Sequence, residues 1–255
     1  MISGILLITI VGFIGIIAYR RPKLAEKVFK EVPLIDWLNI LILPLVLYLG
    51  IVLVVEQILS RPKVEFLDYD NLHLLPLGAL FLIYGFVGNS IHFVSKVLSR
   101  YIKPNKKDLV YRINELFHGK LSHYMTYFCT LVVLFILAIM EINYPLEIKL
   151  TGIQEFLIII SGVIFGVSAS KAIFFTNEWF GGHNKPLFMV VSIMTFIVYA
   201  LFRSLNLQFI NYPFSFFVSV IFTSIVFTFI FRQFLIFSKL SNKRRLKFFV
   251  RILHI

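Results

Sequence analysis

Seven apolar blocks of about twenty residues each leave this 255-residue chain few ways to fold. A block of that length crosses a hydrocarbon core of about 30 Å as an α-helix, which satisfies its own backbone N–H and C=O groups where no water can. The blocks are residues 2–19, 37–59, 75–95, 121–141, 153–175, 187–204 and 214–237. They use most of the chain, so no separate soluble domain fits. Residues 1–237 read as one all-α, polytopic membrane domain with seven transmembrane helices, and 238–255 as a basic tail. Composition agrees: 15% of residues are charged, against about a quarter in soluble domains, and the mean hydropathy is +0.89.

The cations orient the spans. With the N-terminus outside, the cytoplasmic segments 20–36, 96–120, 176–186 and 238–255 hold 19 of the 25 Lys and Arg residues, and the outside segments hold 4, counting Arg203 at the outer end of the sixth span with the short loop that follows it. Lys171 and Arg232 complete the count inside spans, each near a cytoplasmic end, where a long side chain can snorkel. Such asymmetry is the mark of positive-inside insertion and places the C-terminus in the cytoplasm, the chain lying in the cell (inner) membrane. The net charge of +12 therefore points to anionic lipid headgroups and not to nucleic acid, for which a basic surface with base-stacking aromatics is missing. Two cytoplasmic segments read as interfacial helices. One is residues 22–31; the other is the tail, with Leu246, Phe249, Val250 and Leu253 on one face and Arg244, Lys247 and Arg251 on another.

Small residues mark packing faces. Gly162, Gly166 and Ser170 recur at i, i+4, i+8 in the fifth span, and Gly85, Gly88, Asn89 and His92 share a face of the third. Pro44 is expected to kink the second span. Cys129, the sole cysteine, excludes an internal disulfide and reads as a small buried thiol. Glu56 and Glu141 read as interfacial carboxylates. No phosphate-binding loop or dinucleotide fingerprint is present in the sequence.

Ionisable groups near a membrane cost free energy, so a gathering of them asks for a reason. Topology puts His92, His118, His123 and His183 at the cytoplasmic ends of the middle spans, with Glu115 and Glu178 nearby. Asp108 is placed to cap a helix running to about Phe117, carrying Glu115 and His118 at i, i+3. On one continuous α-helix His118 and His123 would differ by about 140°. A break at Gly119 removes that objection. Imidazole with carboxylate suits a divalent transition metal, zinc or manganese among them, when thiolate is lacking. In this reading the four histidines are metal ligands and Glu115 or Glu178 is a general base.

The segment His118-Gly119-Lys120-Leu121-Ser122-His123, with His92 upstream, resembles the motif of the bacterial membrane-bound metal-dependent hydrolase family over about 35 residues. That motif reads His-Arg-Gly-x-Thr-His, with Asp-x-Asp-His upstream; Asn89-Ser90-Ile91-His92 stands here in place of the aspartates. The resemblance implies a metal-dependent hydrolase acting on a lipid or membrane-proximal substrate at the cytoplasmic face. The competing expectations are a non-catalytic scaffold or partner-binding subunit, in which the histidines bond carbonyls or headgroups, and a transporter. The nearly uncharged midplane disfavours the last.

Overall fold

A computed structural model describes residues 1–18, 27–30, 32–105, 107–174 and 185–241. The chain is mostly helical, and its helices fall on the apolar blocks. They are α1 (Ile2–Ala18), α2 (Leu34–Leu59), α3 (Asn71–Leu98), α4 (Leu109–Glu141), α5 (Gly152–Phe174), α6 (Lys185–Ser204) and α7 (Pro213–Ser238). Six of these, α2 to α7, are long and apolar enough to cross a membrane; α1 is a shorter apolar helix.

In lipid, burying apolar surface gives no drive for helices to associate, so close van der Waals packing must do it. The expected small-residue stripes are where that happens. A methyl group added at Gly162 would meet Val220 Cγ1 at 2.7 Å, and one at Gly166 would meet the Ile221 carbonyl at 2.7 Å, so α5 lies backbone-close against α7. At Gly88 an added methyl would meet Met125 Cβ at 2.6 Å and Thr126 N at 2.9 Å, which brings α3 and α4 into similarly tight contact. Helix α1 packs on α2 and α5, and α6 on α7. The most enclosed helix is α4, buried against α3 and α7 through residues such as Leu134, Met140 and Cys129.

Two helices contain a π-turn, a wider turn with i→i+5 hydrogen bonds. In α2 it spans Leu38–Ile42, directly before Pro44. The missing N–H of Pro44 falls where helical bonding is already changing. In α4 the π-turn spans Leu116–Leu121. This corrects the expected break at Gly119: the helix that Asp108 caps continues into the fourth apolar block. Asp108 does cap it, accepting from Val110 N at 2.9 Å.

Residues 22–31 are also corrected where they are described. Val28–Phe29 pairs antiparallel with Val32–Pro33 in a small hairpin, with Lys30 at φ 48° in its turn and Trp37 Nε1 donating to the Phe29 carbonyl at 3.1 Å. Pro33 cannot donate a backbone bond and β-branched Val28 and Val32 favour extended backbone, which opposes a helix there. The rest of that segment and the tail helix proposed for 244–253 lie outside the described residues.

At the other end of the bundle the connections are clamped together. Glu141, expected at an interface, is fully buried. Its carboxylate accepts from Arg61 Nη1 at 2.9 Å, from Ser215 N at 2.6 Å and Oγ at 2.9 Å, and from Phe214 N at 3.2 Å. The last three are donors at the start of α7, where unsatisfied amides and the positive end of the helix dipole favour an anion. Arg61 also donates to the Tyr144 carbonyl at 2.8 Å, and Asn143 exchanges two bonds with Leu67.

Candidate functional site

The end of the bundle opposite this clamp carries the histidines. His92 is on α3 two turns before its end; His118 is inside the π-turn of α4; His123 is in the first regular turn after it. The structure brings all three together. Ring centroids are 4.7 Å apart for His92 and His118, 4.6 Å for His92 and His123, and 5.9 Å for His118 and His123. The π-turn explains how. A regular α-helix puts residues five apart about 140° from each other, whereas a turn closed by i→i+5 bonds stacks them on one side. Gly88 supplies the other requirement: without its side chain α3 closes on α4 one turn below His92.

Local hydrogen bonds fix the rings. His123 Nδ1 lies 3.1 Å from the Gly119 carbonyl, so Nδ1–H donates and Nε2 is left as the lone-pair nitrogen. Ser122 donates its hydroxyl back to the His118 carbonyl at 2.6 Å. His123 is buried, while His92 and His118 are half-buried.

Three imidazoles holding one tetrahedral metal at about 2.1 Å have ring centres roughly 5 Å apart, and the observed spacings bracket that value. The ring planes do not yet match it. His92 and His118 are stacked, 29° from parallel, and no three His, Cys, Asp or Glu side chains among the described residues have donors arranged to hold an ion.

Glu115 is exposed, one residue before the π-turn. Glu178 and His183 lie outside the described residues. The carboxylate that sequence reasoning missed is Asp36, 2% exposed at the start of α2. It accepts a hydrogen bond from Lys96, one turn beyond His92, and pairs with Arg100 at 3.6 Å. Asn89, one turn before His92, donates to the Asn39 carbonyl in the other π-turn at 2.8 Å. Helix α3 thus ties the histidines to α2 on its far side. The available signal for Asp36 was an acidic residue at the head of an apolar block, six residues after Lys30, opposite a span ending in Lys96 and Arg100. Asn114, one turn before His118, is buried and its amide nitrogen has no partner among the described residues.

No protein-family model matches the chain, and neither the curated proteins nor the solved structures include a significant match.

Proposed function

We propose that this chain is a seven-span membrane protein with its histidine end in the cytoplasm, and that it is a metal-dependent hydrolase acting on a lipid or other membrane-proximal substrate. One observation carries the reading: three imidazoles from two helices meet at 4.6–5.9 Å where the positive-inside count locates the cytoplasmic surface. His92, His118 and His123 are the proposed ligands of one zinc or manganese ion, with His183 as a further candidate. Such an ion, when bound, lowers the pKa of water toward 7 and polarises an ester or phosphoryl oxygen. Glu115, exposed beside the cluster, and Glu178 are the candidate bases.

The test is turnover of anionic phospholipid in mixed micelles by the purified full chain supplied with zinc or manganese. A Glu115→Gln variant is expected to lose about 10²–10⁴-fold if Glu115 is the base, and His118→Ala/His123→Ala to lose turnover altogether. Undiminished turnover by the double histidine variant would contradict the reading. A second reading, a non-catalytic scaffold or partner-binding subunit, is favoured by the stacked His92 and His118 rings and by the His123–Gly119 bond, which suit a packed structural cluster. It predicts no turnover and no metal.

A further inference from the structure

Beside the α3–α4 seam lies an open cavity of about 380 Å³, within the range of about 300–1,000 Å³ seen for small-molecule sites. Its walls come from Leu80, Phe81 and Tyr84 on α3 and from Tyr124, Phe128 and Cys129 on α4. They are almost wholly apolar. Leu80 is 49% and Tyr84 53% exposed, on helices that are apolar enough to cross a membrane, so the medium that reaches them there is lipid. Tyr124, the residue after His123, lines the cavity, so the groove reaches the level of the histidine cluster on α4.

We propose that this groove holds one acyl chain of a membrane lipid, with the polar end of that lipid at the histidines. Two features favour an acyl chain over a transmembrane helix from another copy or partner. Helices meet in lipid through small residues that let backbones approach. On this seam those residues, Gly85 and Gly88, are already buried against Cys129 and Met125, and apart from buried Cys129 the groove offers large or flexible side chains. The histidine end is also rich in cations, Lys96, Arg100, Lys103, Lys107 and Arg112 against the carboxylates Asp36, Asp108 and Glu115, which complements an anionic headgroup. The assignment names the part of the substrate that the proposed hydrolase would hold, and in that respect it rests on that reading. The groove itself stands without it.

The experiment is photo-crosslinking with an anionic phospholipid carrying a diazirine in one acyl chain, on the full-length protein in nanodiscs, followed by peptide mass spectrometry and metal analysis of the same preparations. Adducts concentrated on 80–84 and 124–129 are expected, reduced at least fivefold in Leu80→Trp, whose larger side chain fills the groove from an exposed position. Unchanged adducts on α7 in that variant would show that it is folded. Adducts spread over all lipid-facing helices, including exposed Phe227 and Phe234, would overturn the proposal, as would a cross-link between copies through this face. Groove labelling without bound metal would leave the acyl site standing and remove the hydrolase; bound metal without groove labelling would do the reverse.

Discussion

A carboxylate with no exposed surface has to be satisfied from within the protein, and Glu141 is satisfied four times over. It receives one Arg61 bond and three donors at the start of α7. Removing one partner of such a buried pair leaves the other charged and stranded, which costs about 3–5 kcal/mol. Arg61→Ala and Glu141→Ala are therefore expected to destabilise the protein by that much, and the double variant by clearly less than the sum, since each single change already breaks the pair. Denaturant unfolding in detergent micelles measures all three. Additive losses would show that the clamp is not one unit. Hydropathy alone could not distinguish this residue from Glu56, which ends α2 and is exposed. Both lie near span ends, and only the neighbouring turn of another helix decides which is buried.

At the scale of elements, the π-turn of α4 and the glycine seam of α3 together gather the histidines. A glycine that broke the helix would resist replacement. Gly119 instead sits in a continuous helix, and among the described residues no atom beyond its chain neighbours and its own helix backbone lies within 4 Å of where a Cβ would stand. Gly119→Ala is therefore expected to leave the proposed metal binding intact and to raise stability by up to about 1 kcal/mol, the helix-propensity difference. Loss of metal binding would mean that the glycine itself is needed. Gly88→Ala should do the opposite: its methyl would sit 2.6 Å from Met125 Cβ and 2.9 Å from backbone, an overpacking that costs about 1–3 kcal/mol and lifts His92 away from α4. Gly85→Ala, at 3.4 Å from Cys129 Cβ, is the milder control. Thermal unfolding and metal content of the three variants check the order. The apolar blocks announced these helices because twenty uncharged residues have few alternatives in a membrane. The π-turn left no such mark, since one extra residue in a turn barely alters an apolar pattern. That the histidines gather at one end of the middle spans was legible; whether His118 and His123 converge, and by what device, was not. The hairpin at 28–33 escaped for a related reason: a short amphipathic run flanked by lysines fits a helix or a strand pair equally well on paper.

For the whole molecule, the account joins a helical bundle, a clamp at one end and a histidine cluster with an apolar groove at the other. The proposed orientation rests on charge alone, so it needs its own check. In a Cys129→Ser background, a single cysteine at Lys103 should react with a membrane-impermeant maleimide only after the cells are opened. One at Lys149 should react in intact cells. Both positions are exposed on their connections. The reverse pattern would turn the protein over and move the histidines to the outer face. The central claim is that the three histidines gather to bind an ion, and metal content of the detergent-purified chain tests it most directly. About one equivalent of a transition metal in the wild type, lost in His118→Ala/His123→Ala while the helical content is kept, is the predicted result. No bound metal in either protein after zinc and manganese are supplied would contradict the claim and leave the cluster as a packing device.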